Sequence, residues 1–303
     1  MRIQIACLVC TVTLTASVVG QAPAPALAPG ASLTLTASTA SIAMPPGGVV
    51  LVTALASQPV TALEGYAFGR PVRFWADTAQ TKWMALVAAG LDAKPGPQTV
   101  TMSATGTSGK ATTSLTIRVE PKRFETRRLK VDPQFVNPAP SETERALREQ
   151  KQMAVIFAEV TPMRLWHGAF EMPVPGEATS SFGRLSVLNG ESRGRHQGAD
   201  FRAATGTPVH APNAGRVALA ADLYFSGNTV ILDHGLGMFS LLAHLSKLSV
   251  ETGAMVARGD VLGDSGATGR VTGPHLHWAL RLGPASVDPI ALVAAVAPIA
   301  DER

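Results

Sequence analysis

Two stretches of the chain alternate apolar and polar residues with the period of two that is typical of β-strands, and a segment of helical periodicity separates them. In the first stretch, turn-forming Pro and Gly residues at 45–48 and 94–97 divide the alternation into short runs. These runs are SLTLTAS, VVLVTALAS, PVRFW, QTVTMSAT and ATTSLTIRVE. Short strands at regular spacing over residues 31–120 predict an immunoglobulin-like β-sandwich, and no residue there suggests catalysis.

One helix is predicted between the two stretches. Ser141 and Glu144 have the spacing of a capping box, so we expect the helix to begin there. Two pairs are spaced for i,i+4 ion pairing, Glu144 with Arg148 and Arg145 with Glu149. The Thr-Pro pair at 161–162 predicts that the helix has ended by that point. Apolar residues at helical spacing predict a face that packs against the protein: Met153, Ile156, Phe157 and Val160.

The second alternating stretch, residues 168–293, consists of strand-like runs and Gly-rich turns, and it leaves a short tail at 294–303. Its runs include GRVALAA, NTVILDHG, FSLLAHL and PHLHWAL. The predicted fold class is therefore mainly β. It has the N-terminal immunoglobulin-like sandwich, a linker and helix at 121–167, and a C-terminal antiparallel β-sheet domain.

The chain has seven histidines, and six of them lie in the second stretch. His275 and His277 stand two positions apart in PHLHWAL, so on a strand both side chains project from one face. Two imidazoles side by side are typical of a metal site. The same pattern also fits a partly exposed strand whose opposite face, with Leu276, Trp278 and Leu280, is buried.

His196 and Asp200 lie in RHQGADF. On a straight strand, positions i and i+4 are about 13 Å apart, whereas two ligands of one zinc ion must bring their donor atoms within about 4 Å. Gly198 permits a bend that would place His196 on a loop and Asp200 on the following strand. His244 lies in the apolar run SLLAHLS, and by itself it is a candidate for a buried histidine with local hydrogen-bond partners.

Taken together, these segments closely resemble the lysostaphin-type zinc metallopeptidases, the family of the LytM-like peptidoglycan endopeptidases, whose fold is called the duplicated hybrid motif. The resemblance covers nearly all of the second stretch, in order. The matching segments are TSSFG (179–183), RHQGADF (195–201), GTPVHAPNAGRV (206–217), NTVILDHGLG (228–237), LLAHLS (241–246), GDVLGDSGATGRVTGPHLHW (259–278) and VDP (287–289).

The resemblance implies that His196, Asp200 and His277 bind one zinc ion per chain and that His244 and His275 are catalytic. Three protein ligands leave a fourth position for water, which is the arrangement of catalytic zinc sites. The implied activity is that of a zinc metalloendopeptidase, which hydrolyses the peptide cross-links of peptidoglycan. Because the chain has no Glu in an H-E-x-x-H motif, we expect a histidine to handle protons or to stabilise the oxyanion.

The chain departs from the family pattern at two places. The arginine-rich stretch after SFG is altered over Arg184–Arg195, where we expect the change to reshape a groove wall. In the family, a Glu often follows the aromatic residue after the dyad of His275 and His277. Here that position is Ala279, which is not a ligand position. Of the other histidines, His210 and His234 are expected to be structural, and His167 lies outside the resemblance.

The N-terminus has the pattern of a secretory signal. A basic residue precedes an apolar run at 3–19, and small residues favour cleavage after Gly20. An uncleaved membrane anchor is the alternative, although Thr and Ser dilute the run. Cys7 and Cys10 both lie in this segment, so the mature protein would have no disulfide and no cysteine ligand. A Pro/Ala linker follows at 21–30, and no later segment is apolar for long enough to cross a membrane.

Charge narrows the choice of partner. The net charge is +4 without a dense basic tract, which argues against nucleic-acid binding and suits an anionic polymer such as cell wall. A connector at 121–140 carries several basic residues that either bind the wall or form a solvated linker, and we favour the linker. These basic residues are Lys122, Arg123, Arg127, Arg128 and Lys130.

We expect an exported enzyme, periplasmic or associated with the cell wall, that acts on peptidoglycan. Because no terminal targeting module follows the catalytic segments, we expect cleavage of D-alanyl–diaminopimelate cross-links and not of pentaglycine bridges. The alternative is an inactive family member that activates or scaffolds another wall hydrolase, although all five site positions are retained.

Two other classes are disfavoured. The GDSG segment around Ser265 is similar to the nucleophile segment of serine proteases, but a well-spaced His and Asp are missing. The segment VETGAMVARGDVLG is similar to the hairpin of biotinyl and lipoyl carrier domains. Such a domain needs a modifiable lysine at the turn, and Lys247, the last lysine, precedes the segment.

Overall fold

The computed structural model describes residues 32–130, 138–180, 182–297 and 299. The predicted signal segment, both cysteines and the linker at 21–30 lie outside these residues. Within these ranges, no helix combines the length and the apolar character that a membrane span requires.

The N-terminal strands form two sheets that enclose one apolar core, as the alternating pattern predicts. In pairing order, the first sheet contains β1 (Leu35–Ala37), β3 (Val49–Ala56), β7 (Lys82–Ala88) and β6 (Phe74–Ala76). The second contains β2 (Ser41–Met44), β9 (Gly109–Val119), β8 (Gly96–Gly106), β4 (Ala62–Ala67) and β5 (Arg70–Val72). The two-sheet arrangement is compatible with an immunoglobulin-like sandwich, and that assignment stays a prediction.

Strand β7 is absent from the strands that alternation identifies. Its sequence KWMALVA has no polar residue after Lys82, and every residue from Trp83 to Ala88 is buried. The strand lies in the middle of its sheet, between β3 and β6, and both of its faces are covered. A strand buried on both faces is a continuous apolar run and not an alternating one, so the period of two does not reveal it.

The connector is more ordered than a solvated linker. Its residues Thr126–Leu129 form β10, which pairs in parallel with β12 (Leu185–Leu188), and β12 forms a hairpin with β13 (Glu191–Arg195). The basic side chains of Arg127 and Arg128 remain exposed, as the linker interpretation expects. The altered segment after SFG is therefore a hairpin to which the connector adds a third strand.

Helix α1 spans Pro140–Ala158, so it begins one residue earlier than predicted. The prediction that Ser141 and Glu144 form the capping box was wrong. The N-cap is Ala139, whose backbone N–H donates to the Glu142 carboxylate at 2.8 Å. Alanine has no side chain that could return a hydrogen bond, and Pro140 occupies the first helical position, where its fixed φ suits a helix start.

The predicted contacts of α1 are confirmed in part, and Glu144 and Arg148 form no ion pair in the described part of the chain. Arg145 pairs with Glu149 at 2.6 Å, and its guanidinium also reaches the carboxylate of Asp222 at 3.0 Å. The packing face includes Met153, Ile156 and Phe157, which lie against an apolar cluster of the C-terminal sheet. The fourth predicted member of the stripe, Val160, follows the helix and is exposed.

The C-terminal strands form an antiparallel sheet of ten strands within the described residues. In pairing order, its main path is β11 (Ala178–Ser180), β14 (Gly198–Phe201), β21 (Leu276–Leu282), β18 (Met238–Leu248), β17 (Gly227–Gly235), β16 (Gly215–Leu223) and β19 (Met255–Val256). Three short strands complete it: β15 (Pro208–His210), β20 (Val261–Ser265) and β22 (Ala285–Val287).

The two β-rich regions share one apolar core. Residues of β3, β6 and β7 belong to the same buried cluster as residues of the C-terminal sheet. At the junction, the rings of Trp75 and Trp166 meet edge to face at 5.3 Å, and the guanidinium of Arg164 lies about 5 Å from each ring centroid. The sandwich therefore packs directly on the domain that carries the histidines.

A second helix, α2 (Pro289–Val296), was not predicted. Asp288 caps it by accepting from the backbone N–H of Ile290 at 3.0 Å. Leu292 and Val296 are buried in the shared core. The predicted domain end at 293 falls inside this helix, because eight residues with no polar face carry no helical period that a sequence pattern could reveal.

Candidate metal centre and groove

Strand pairing brings the three predicted metal ligands together. Asp200 on β14 lies directly opposite His277 on β21, and residues opposite each other on antiparallel strands project from the same face. His196 stands two residues before β14 and turns back over Asp200. Three atoms converge: His196 Nε2 lies 3.0 Å from Asp200 Oδ1 and 3.0 Å from His277 Nδ1, and these last two atoms are 2.9 Å apart.

Gly198 makes room for this arrangement, in which His196 lies on the loop before β14 and Asp200 on the strand, as predicted. Gly198 is the first residue of β14 and has no positive φ. A Cβ atom there would lie 2.4 Å from the carbonyl oxygen of Trp278 and 2.8 Å from the His277 ring. Glycine is needed because the neighbouring strand and the ligand ring approach the backbone so closely.

The donor set fits a bound metal ion. Asp200 could accept a hydrogen bond from each imidazole, but the 3.0 Å contact between the two ring nitrogens would then bring two N–H groups together. A cation at the centre removes this conflict, since all three atoms can then offer lone pairs. Tetrahedral ligands at 2.0–2.2 Å from zinc lie roughly 3.4 Å apart, close to the spacing seen here.

The electrostatics favour an ionised carboxylate at this position. Burial alone would raise the pKa of Asp200, but the hydrogen bonds from His196 and His277 outweigh burial and hold the pKa well below its usual value. Burial also lowers the pKa of His277. Both groups are therefore in the deprotonated form that metal binding requires at neutral pH.

His244 and His275 complete the cluster. The centroids of their rings are 4.8 Å apart, and His244 lies 6.0 Å from the His277 ring. The Nδ1 of His244 donates to the carbonyl of Thr268 at 3.0 Å, and that of His275 donates to the carbonyl of Gly273 at 2.9 Å. A carbonyl only accepts, so each Nδ1 carries a proton, and the neutral form of each ring has its lone pair on Nε2.

His244 is held in an unusual state. Its φ is +67°, in the left-handed region that residues with a Cβ rarely adopt. Burial, partly offset by the hydrogen bond to Thr268, lowers the pKa of His244 to about 4. Its imidazole is neutral at physiological pH, so its Nε2 is available as a base.

The predicted face of the dyad is confirmed with one correction. His277 lies on β21, but His275 precedes the strand and forms an isolated bridge with Gly266. Its Nε2 nevertheless reaches to 3.8 Å from Asp200 Oδ1. The opposite face, with Leu276, Trp278 and Leu280, is completely buried. The buried face of the strand is therefore confirmed, and the opposite face is compatible with a metal site.

The five residues open into a cavity of about 470 Å³. Most of the other residues that line this cavity could not be assigned to it from the sequence, because they come from distant segments. Met153 and Phe157 of α1 form one side, and Phe225 and Arg281 also line it. One signal was available for Arg281, since His277, Ala279 and Arg281 alternate on one face of β21.

The hairpin of β12 and β13 supports a ligand. At its base, the His196 N–H donates to the carbonyl of Arg184 at 2.9 Å, and the Gly183 N–H donates to the carbonyl of His196 at 2.8 Å. Among the described residues, none from 184 to 195 lines the cavity. The altered segment therefore fixes the backbone of His196, and its expected effect on a groove wall stays a prediction.

The remaining histidines lie outside the cavity lining. His234 is fully buried. Its Nδ1 donates to the Ala214 carbonyl at 2.8 Å, and its Nε2 accepts from the Ser240 hydroxyl at 2.9 Å. His210 Nδ1 donates to the carbonyl of Gly259 at 2.8 Å. The side chain of Ser265 is buried with no hydrogen-bond partner for its hydroxyl in the described residues, which does not fit an activated nucleophile.

Three converging ligand atoms with two further imidazoles at an open groove have the arrangement of a catalytic metal centre, since a structural site would be closed by a fourth protein ligand. Comparison with known proteins agrees. The profile of peptidase family M23 matches residues 194–289. A crystal structure from Pseudomonas aeruginosa that carries a peptidase M23 assignment is 32% identical, with a TM-score of 0.64. The match covers 83% of this chain and 95% of that one. The chain belongs to peptidase family M23.

Curated relatives match the same region. Peptidoglycan DD-endopeptidase ShyA of Vibrio cholerae is 45% identical over 85 residues, which are 28% of this chain and 20% of that protein. DD-carboxypeptidase/endopeptidase Mpg of Neisseria meningitidis is 40% identical over 97 residues, which are 32% of this chain and 22% of that protein. The chain thus spans about a fifth of the length of these relatives.

We expect His234 to make folding sensitive to acid. Burial lowers its pKa to about 4 from 6.5, so as the pH falls below 6.5 the unfolded chain takes up a proton before the folded chain does. Its contribution is fully present above pH 6.5, and about 3 kcal/mol is lost on acidification to pH 4. Urea denaturation with a chelator present should show the stability gap between wild type and His234→Gln shrinking by that amount from pH 7 to pH 4.

The control for this prediction is His167→Gln, because the His167 side chain is exposed. That variant should follow the wild-type stability curve at every pH. A stability gap between wild type and His234→Gln that stays constant with pH would show that His234 does not titrate as its burial requires.

Proposed function

We propose that the protein is an exported zinc metalloendopeptidase that hydrolyses peptide cross-links of peptidoglycan. One observation carries the proposal: three ligand atoms converge within 3.0 Å of one another beneath two imidazoles whose Nε2 atoms remain available. Export rests on the signal pattern of residues 1–20, and we place the catalytic domain at 168–293, behind a sandwich at 31–120.

In this proposal His196, Asp200 and His277 hold one zinc ion per chain. Zinc bound there would polarise the scissile carbonyl and lower the pKa of a coordinated water. The chain orients the ligands in two ways. Register across β14 and β21 sets Asp200 against His277, and the hairpin base fixes the backbone of His196.

We assign His244 and His275 to proton transfer and to stabilisation of the oxyanion. Their Nδ1 protons are held by backbone carbonyls, which fixes the orientation of both rings. The Nε2 of a neutral imidazole can take a proton from the attacking water and return it to the leaving amine. Once protonated, the same group can donate to the developing oxyanion.

The substrate assignment comes from the relatives. Two curated relatives with 45% and 39% identity in this region are named peptidoglycan DD-endopeptidases. A DD-endopeptidase cuts a bond between two D-centres. In peptide stems that are cross-linked through diaminopimelate, that bond is the D-alanyl–diaminopimelate bond. We therefore assign that bond as the substrate. The alternative of an inactive scaffold is disfavoured, because all five site residues are present and placed together.

Variants of the ligand residues and variants of the catalytic residues should differ in whether they keep bound zinc. Asp200→Ala removes a ligand, so that variant should lose bound zinc and activity together. His244→Ala and His275→Ala should keep about one zinc per chain and lose roughly 10²–10⁴ in kcat. Elemental analysis and turnover of peptidoglycan measure the two properties. The activity of the wild type should fall as the pH drops toward 4, because His244, whose pKa is about 4, takes up a proton there and is lost as a base.

The matched control is His210→Ala, which removes an imidazole outside the cavity lining and should retain both zinc and activity. Stoichiometric zinc in Asp200→Ala would refute the ligand assignment. Near-wild-type turnover in His244→Ala or His275→Ala would assign that residue a structural role only.

Substrate choice can be tested with two purified substrates. Cross-linked muropeptide dimers should be cut at the D-alanyl–diaminopimelate bond, which mass spectrometry of the products identifies. Pentaglycine should remain intact under the same conditions. Efficient cleavage of pentaglycine with intact dimers would overturn the substrate assignment and leave the zinc centre unaffected.

A further inference from the structure

Arg281 lies in the catalytic cavity, yet the proposed chemistry leaves it without a role. It follows His277 and Ala279 on the same face of β21, and all three line the cavity. Four positions along an extended strand place its Cα about 13 Å from that of His277. Arg281 thus lines the same cavity as His277, four positions further along the strand.

The guanidinium is only partly satisfied by the protein. Its Nη2 donates to the carbonyl of Pro284 at 3.1 Å, and its carbon lies 4.7 Å from the centroid of the Phe157 ring on α1. Its Nε is buried and has no hydrogen-bond partner among the described residues. Burial also lowers the pKa of Arg281, which reflects the cost of removing its charge from water.

No acidic group of the cavity is available to Arg281. The single carboxylate among the described lining residues is Asp200, which is engaged by His196 and His277. A desolvated cation without an anion is costly unless a ligand supplies the charge. The planar guanidinium matches a carboxylate, to which it can donate two parallel hydrogen bonds.

Helix α1 holds this group in place. Phe157 packs edge to face on Phe239 at 5.5 Å, and Phe239 lies opposite Arg281 in the sheet. The helix is also tied to the end of β16 by Arg145 and Asp222 at 3.0 Å. The guanidinium is thus stacked on a fixed ring, which reduces the entropy lost when it binds an anion.

We infer that Arg281, stacked on Phe157, is the specificity residue that binds a carboxylate of the substrate peptide at a distance from the scissile bond. The inference rests on the proposed peptidoglycan activity. Two carboxylates of a cross-linked dimer are the candidates. One is the free carboxylate of diaminopimelate in the donor stem, and the other is the C-terminal carboxylate of the acceptor stem.

Amidated substrates test the inference. Cross-linked dimers are prepared in three forms: unmodified, amidated at the donor diaminopimelate carboxylate, and amidated at the acceptor C-terminus. The wild type should cleave one amidated form with a kcat/KM roughly 10- to 100-fold below that of the unmodified dimer, as expected for loss of a charge-assisted hydrogen bond. The form that is affected identifies the carboxylate.

Arg281→Met should abolish this discrimination. On the unmodified dimer, the kcat/KM of the variant should fall to the value that the wild type has on the affected amide. On that amide, the variant and the wild type should have the same kcat/KM. Arg281→Lys keeps the charge without the planar fork and should restore part of the discrimination, which also covers the case in which the Met variant folds poorly. Arg118→Met, an exposed arginine of β9, is the matched control and should behave as wild type.

An equal loss by Arg281→Met and Arg281→Lys on all three dimers would overturn the inference and make Arg281 a purely structural partner of Phe157. A wild type that does not distinguish the three dimers would also overturn it, with the endopeptidase activity intact. A wild type that cleaves no dimer refutes the proposed function, and the carboxylate assignment falls with it.

Discussion

The antiparallel register between β14 and β21 is the constraint on which the site depends. It sets Asp200 opposite His277, and the absence of a side chain at Gly198 lets the His277 ring lie against the neighbouring backbone. A shift of one residue would turn every side chain of a strand to the other face. Because Leu276, Trp278 and Leu280 are fully buried on the reverse side, such a shift would expose the core. Core burial therefore keeps the ligands in register.

Elements outside the sheet give the site its walls. Helix α1 has no fully buried residue, yet its apolar stripe packs on the sheet beside the histidines and supplies Met153 and Phe157 to the cavity. The connector strand β10 extends the hairpin whose base holds His196. The sandwich packs on the same domain through Trp75 and Trp166. Helix α1 is thus part of the groove and not only a spacer.

The sequence predicted what depends on local pattern. Alternation located most strands and the buried face of β21, and the resemblance named five residues that the structure places within one cluster. The rest depends on tertiary contacts. Strand β7 is buried on both faces and so has no alternation. Helix α1 begins at Pro140 and not at the capping box, because Glu142 reaches the backbone of Ala139. The place of Arg281 in the cavity depends on Phe157, more than a hundred residues away in the chain.

The central claim is that one zinc ion lies between His196 Nε2, Asp200 Oδ1 and His277 Nδ1. Anomalous X-ray diffraction above and below the zinc edge, from crystals of the purified active protein, measures it most directly. The account predicts one zinc peak per chain at 2.0–2.2 Å from these three atoms, with the Nε2 atoms of His244 and His275 outside bonding distance. A peak coordinated by His244 or His275, or an active protein with no peak at this position, would contradict it.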